Sequence, residues 1–122
     1  MRETELVAAC IKLLRSVGVC CWRQNVTKTM MRGRWVRFGF PGLSDIIGWL
    51  PDGRFLAVEC KVGKNTLSKV QRDFLDLLNR SGGLGVAIWD STNGLAQVVS
   101  SPGATILARY VPKVAPKRQR ST

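Results

Sequence analysis

The chain contains no histidine. Imidazole is the side chain that ordinarily titrates between pH 5 and 8, so its absence removes histidine general bases, Ser-His-Asp triads and histidine-ligated metal centres at once. Acids are also scarce: 8 Asp and Glu stand against 19 Lys and Arg, for a formal net charge of +11. No acid lies between Glu5 and Asp45, and none follows Asp90. No apolar run approaches the roughly 20 residues of a membrane span. Four cysteines occur, Cys10, Cys20, Cys21 and Cys60, but no C-x-x-C pair, which argues against a zinc knuckle. They read as reduced, packed thiols of a cytosolic protein. Any hydrolysis this chain performs must run on carboxylates, lysine and a metal ion.

What is present is basic charge. Lys12, Arg15, Arg23, Lys28, Arg32, Arg34 and Arg37 fill the acid-free stretch before Asp45, and Arg109, Lys113, Lys117, Arg118 and Arg120 follow Asp90. A polyanionic partner, nucleic acid first, explains such segregation. A length of 122 residues fits one domain with a real core. The polar, acidic start Met1-Arg2-Glu3-Thr4-Glu5 does not resemble a signal peptide, so a cytoplasmic location is expected, with no membrane partner.

The richest stretch is Phe40 to Lys61. Two apolar runs, Ile46–Leu50 and Phe55–Val58, flank Pro51-Asp52-Gly53, the pattern of a β-hairpin. Proline suits an early turn position and glycine the left-handed position that closes a three-residue loop. That loop pairs Leu50 with Arg54 and sets Asp45 opposite Glu59; a two-residue loop would set it opposite Cys60. Strand period two puts Glu59 and Lys61 on one face and Cys60 on the other. Carboxylates roughly 5 Å apart across a pair repel unless a proton or cation joins them, and oxygen ligands of this kind suit Mg²⁺ or Mn²⁺.

Asp45 followed by Glu59-Cys60-Lys61 resembles the D…(D/E)-x-K signature of the PD-(D/E)XK nuclease superfamily. With Gly39-Phe40-Pro41-Gly42-Leu43-Ser44-Asp45 before it, and Leu67-Ser68, Gln71 and Gly82-Gly83 after it, the stretch is similar to the stand-alone VRR-NUC domains found in phages. The resemblance covers about residues 3 to 90. It implies an α/β fold, a restriction-endonuclease-like αβββαβ core with a mixed central sheet flanked by helices. It also implies Mg²⁺ (or Mn²⁺) as cofactor and a bacterial or phage-infected cell as the setting. Asp45, Glu59, the Cys60 backbone carbonyl and, through water, Glu3 would hold the metal. Lys61 would stabilise charge or position water, or simply pair with Glu59 or Asp45. Gln71 would lie beside the site.

The remaining chain fits that frame. Residues 3–17 read as a helix with an apolar stripe at Leu6, Cys10, Leu13, Leu14 and Val17, ended by Gly18. Glu3 lies three residues before Leu6 and so near the stripe, whereas Glu5 is rotated away; both also suit the first helical turn. Residues 19–23 read as a strand, 25–33 as a polar, basic segment ending in the turn Arg32-Gly33-Arg34, and 35–40 as another strand. Basic residues interleaved with Trp22, Trp35 and Phe38 can serve a DNA backbone and unstacked bases; the aromatics are assigned to the core and the arginines to DNA. Ser68-x-x-Gln71 is a capping box opening a helix whose buried face is expected at Leu67, Val70, Phe74, Leu77 and Leu78. The cap gives Gln71 a structural reason beside a catalytic one. Residues 84–89 read as a buried strand and Leu95–Val99 as a last strand, while 104–111 fit a helix or a strand. The nuclease domain is expected over 1–111, and 112–122 as a basic, disordered, DNA-binding tail.

The expectation is therefore a Mg²⁺- or Mn²⁺-dependent DNA endonuclease, structure-specific in the manner of Holliday-junction resolvases and acting as a homodimer on branched or four-way DNA. The catalytic set is Asp45, Glu59, Lys61, Glu3 and Gln71. DNA contacts are expected at Arg23, Lys28, Arg32, Arg34, Arg37, Lys64 and Lys69. The competing classes are a catalytically silent DNA-binding module of the same fold and an RNA-binding or assembly protein.

Overall fold

The computed structural model describes residues 1–24, 27–38 and 42–100, with the side chains of 27–31 and 35–38 outside that description. Helix α1 spans Glu3–Ser16 and buries Leu6, Val7, Cys10 and Leu14, residues spaced three and four apart as an amphipathic helix requires. Gly18, at φ +89°, turns the chain out of the helix into strand β1, Cys20–Arg23.

The central sheet has the order β1-β4-β5-β6, with β4 at Ile46–Trp49, β5 at Phe55–Lys61 and β6 at Leu84–Trp89. Strand β4 pairs antiparallel with both β1 and β5, and β5 pairs in parallel with β6 across the α2 crossover. The sheet is mixed, and α1, β1, β4, β5, α2 and β6 reproduce the αβββαβ order. The β4–β5 turn is the three-residue one: the Leu50 N–H donates to the Arg54 carbonyl at 2.9 Å and the Gly53 N–H to the Leu50 carbonyl at 2.8 Å, with Gly53 at φ +91°. Gly48 lets β1 and β4 approach closely, since a Cβ there would lie 2.0 Å from the Cys20 carbonyl oxygen.

Alternation along β5 divides the core. Leu56, Val58 and Cys60 pack with Leu6, Cys10 and Leu14 of α1 on one face. Ala57 packs with Ala87 and with Leu75 of α2 on the other. Cys10 and Cys60 bring their sulfurs to 3.9 Å inside the α1 layer, and the four cysteines are free. Cys20 is exposed rather than packed, because it alternates with buried Cys21 onto the sheet face away from α1. Trp22 is also exposed rather than core, for the same reason. The side chains of Trp35 and Phe38 lie outside the described residues.

Helix α2, Lys69–Arg80, carries the expected capping box: the Gln71 N–H donates to Ser68 Oγ, and the Ser68 N–H donates to Gln71 Oε1. Its buried face differs from the expected one. Leu75 and Asn79 are buried, Phe74 and Leu78 partly so, while Val70 and Leu77 are exposed. Gln71 turns inward to the sheet, which rotates Val70 and Leu77 outward. Asn79 earns its buried place by bonding both backbone groups of Gly85, accepting at 2.7 Å and donating at 3.0 Å.

Two further differences concern local structure. Residues Leu95–Val99 form a short helix, α3, not a strand. Leu95 and Val99, four apart and so on one side of the helix, both enter the α1 core. The polar segment before Gly33 contains strand β2, Thr27–Met31, which pairs with β3, Arg34–Phe38, as a separate hairpin inserted between β1 and β4. Arg32 at φ +51° and Gly33 at φ +76° give the two left-handed positions of a tight turn whose twist matches paired strands. Residues 101–122, including the 104–111 segment and the tail, lie outside the described residues. Among the described residues no helix is long and apolar enough to cross a membrane.

Candidate active site

The β4–β5 register runs Ile46↔Val58, Ile47↔Ala57, Gly48↔Leu56. One step further sets Asp45 against Glu59. Asp45 is tied to that place twice: its Oδ2 accepts from the Cys60 N–H at 2.9 Å, and its carbonyl accepts from the Gln24 N–H at 2.7 Å. One carboxylate oxygen is thereby engaged by the backbone of the neighbouring strand.

Glu59 is 2 % exposed. Its Oε2 accepts from Gln71 Nε2 at 2.9 Å and lies 3.9 Å from Lys61 Nζ. Its Oε1 is buried with no donor. Burial pushes the Glu59 carboxyl up to about 8, the Asp45 charge and carboxyl contact and the Glu3 charge push the same way, and Lys61 opposes them. The physical state is a buried carboxyl facing another carboxyl, and only a proton or a cation between the two satisfies both. Among the described residues no group of three His, Cys, Asp or Glu side chains is arranged to hold a metal ion. The side-chain donors offered are two carboxylates. That suits Mg²⁺, which takes one or two carboxylates and completes its shell from carbonyls, water and substrate phosphate.

Glu3 is half-buried at the start of α1, close enough for its charge to act on Glu59. Glu5 points elsewhere, accepting from the Arg2 N–H at 2.8 Å and pairing with the Arg2 guanidinium at 3.8 Å. Cys60 turns its thiol to Cys10, and that contact, with burial, pushes the thiol far above its ordinary range; the side chain is a core group, not a ligand. Lys61 keeps its side chain 14 % exposed on the Glu59 face.

Of the basic residues assigned to DNA, Arg23, Arg32, Arg34, Lys64 and Lys69 are exposed. Lys69 pairs with Asp73 at 2.7 Å one helical turn on, which partly compensates its charge. Lys28 and Arg37 are register partners across the β2–β3 hairpin, with their side chains outside the described residues.

Three residues given no site role by the sequence stand beside the pair. Gln24 falls opposite Asp45 when the β1–β4 register is continued one step past Arg23↔Ile46. Asp90, at φ +62°, accepts from the Gly63 N–H at 2.9 Å while its own N–H donates to the Lys61 carbonyl at 3.1 Å, closing the chain just after Lys61. Asparagine and aspartate are the non-glycine residues most tolerant of that conformation, so an Asp directly after a strand is a readable signal. Ser44, next to Asp45, is fully buried with its Oγ unpartnered, and hydropathy gives no sign of it.

No curated protein matches the chain. The family model of the VRR-NUC domain matches residues 3–93, about three quarters of the length. That span runs from the first residue of α1 to just short of α3 and includes Asp45, Glu59, Lys61 and Gln71; the chain belongs to the VRR-NUC domain family, a family of nuclease-type domains.

Proposed function

We propose that the chain is a divalent-metal-dependent DNA endonuclease, structure-specific and resolvase-like, hydrolysing phosphodiester bonds at the Asp45–Glu59 pair. The observation that carries this reading is the buried, donorless Oε1 of Glu59 beside the Asp45 carboxyl. A polar atom left unpaired in a protein interior costs about 1–3 kcal/mol, and a hard cation at this point removes that cost for both acids. Asp45, Glu59 and the Cys60 carbonyl would hold it, with Glu3 reaching it through water. Bound there, Mg²⁺ or Mn²⁺ supplies neutralising charge at the phosphate and lowers the pKa of water.

The chain's own residues do the rest. Gln71 holds the Glu59 carboxylate by one oxygen and leaves the other without a donor. The Cys60 N–H fixes Asp45 by one oxygen in the same way. Lys61, an ammonium with three donors at the edge of the pair, stabilises negative charge developing on the phosphate or positions the attacking water. The net charge of +11 draws the DNA backbone to the surface around this site. A four-way junction offers strands in pairs, which a two-fold homodimer would match.

Purified protein mixed with labelled flaps, forks, four-way junctions and linear duplex, in Mg²⁺, Mn²⁺ or EDTA, tests the proposal. Cleavage of a branched substrate in either metal and none in EDTA is the expected result. Tight binding with no turnover in any metal would leave a DNA-binding module instead.

A further inference from the structure

On the sheet face that carries Glu59 and Lys61, α2 packs over β5 and β6, and among the described residues no helix packs comparably over β1 and β4. Three large aromatics lie in the open at that end: Trp22 is 38 % exposed, Trp49 49 % and Phe55 40 %. The chain is 7 % aromatic, so two of its four tryptophans on one exposed strip is a concentrated use of a scarce residue. An exposed apolar surface of this kind marks an interaction site.

The registers place the strip. Trp22 pairs with Ile47, and Ile47 with Ala57; Trp49 pairs with Cys20 and with Phe55. With side chains alternating along each strand, Asp45 and Glu59 form one cross-strand row. Trp22 stands in the next, and Trp49 with Phe55 in the one after. Rows on one face are about 7 Å apart. The strip therefore leads from the carboxylate pair toward the β4–β5 turn. It is also bonded into the site: Trp22 Nε1 donates to Gln24 Oε1 at 3.3 Å, and the Gln24 N–H donates to the Asp45 carbonyl at 2.7 Å. Trp22 and Trp49 meet edge to face, with centroids 5.9 Å apart and planes at 75°, so the two rings are not stacked on one another.

We infer that Trp22, Trp49 and Phe55 form a stacking platform for unpaired DNA bases beside the Asp45–Glu59 pair. The preferred substrate then carries a single-stranded stretch next to the cut. Charge favours this occupant, since a polynucleotide brings negative charge to a chain of +11. Every base offers a π-face, so such a platform binds without sequence preference. The inference rests on the nuclease reading only for the position of the scissile phosphate.

The test reads binding alone. A labelled oligothymidylate and a blunt duplex of equal length are titrated by anisotropy in EDTA, so absence of cleavage in any assay leaves this result interpretable. Trp49→Ala and Trp22→Ala should each weaken oligothymidylate binding about tenfold, the scale of one lost base–aromatic stack, and change duplex binding less than about twofold. Trp49→Phe, which keeps a ring, should retain most of the affinity. Unchanged oligothymidylate affinity, an equal loss on both DNAs, or an altered oligomeric state of Trp49→Ala by sedimentation would each overturn the inference, the last making the strip an interface between copies.

Discussion

One amide serves two structures at once: Gln71 Oε1 accepts from the Ser68 N–H at 2.9 Å, closing the cap of α2, while Gln71 Nε2 donates to Glu59 Oε2 at 2.9 Å. The helix start and the buried acid are thereby fixed by a single side chain. Neither role has to be chosen over the other, because an amide has an acceptor at one end and donors at the other.

Gln71→Glu separates the two roles. A glutamate at this capping-box position still accepts from Ser68, but it sets a further carboxylate against Glu59. The variant should be less stable than wild type in EDTA, by roughly 1–3 kcal/mol for the lost buried donor, and should recover more stability than wild type does on adding Mg²⁺. Urea titrations with and without the metal measure both. Equal stability of the two proteins in EDTA would show that the amide contributes nothing to holding Glu59.

The raised Glu59 carboxyl has a pH signature. Its folded value of about 8 lies above the ordinary 4.5, so between those two values the folded chain keeps a proton that the unfolded chain has released. Stability rises with pH only where the unfolded state binds more protons; here the folded state binds more. Glu59 should therefore make the metal-free protein progressively less stable as pH rises from about 4.5 to about 8, with no further loss above that. Glu59→Gln removes the titration. The stability difference between wild type and Glu59→Gln, from melts in EDTA at pH 5 to 9, should move steadily against wild type, and parallel curves would contradict the prediction.

Helical phase gives a third expectation. Glu3 acts on Glu59 from the first turn of α1, whereas Glu5 is engaged by Arg2. Glu3→Ala should reduce metal-dependent cleavage about tenfold or more, the scale of losing an outer-shell partner, and Glu5→Ala should cost only a few tenths of a kcal/mol of stability. Steady-state rates at fixed Mg²⁺ decide it; equal effects, or the reverse order, would mean that the helix presents the other glutamate.

The hairpin was legible because its turn chemistry is specific. Pro51-Asp52-Gly53 admits one loop length comfortably, and the loop length sets which residue faces Glu59. Helix α1 was legible because Leu6, Cys10 and Leu14 repeat at helical spacing and are buried, although Val17 of the same stripe is exposed. The start and cap of helix α2 were legible in Ser68-x-x-Gln71, but its buried face was not, because Gln71 is polar yet faces inward to a buried acid, and Val70 and Leu77 are apolar yet face out. Hydropathy ranks residues against an apolar interior and is blind to a polar group that another buried polar group requires. Asn79, paired with the Gly85 backbone, was hidden in the same way. Leu95–Val99 is too short for period to separate a strand from a helix, and positions four apart share a face in either, so nothing in the spacing marked it as the helix it forms. Trp22 was assigned inward on hydrophobicity alone, and nothing local records that α2 stops short of β1.

Asp45 and Glu59 are proposed to share one cation, and the most direct measurement of that is cleavage rate against Mg²⁺ concentration for Glu59→Gln beside wild type, on the best branched substrate. With several kcal/mol of charge stabilisation supplied at the phosphate by the metal, losing it should slow cleavage by at least about a thousandfold. The variant should fold normally and still bind the same DNA. Near-wild-type cleavage by Glu59→Gln at saturating Mg²⁺ would contradict the account.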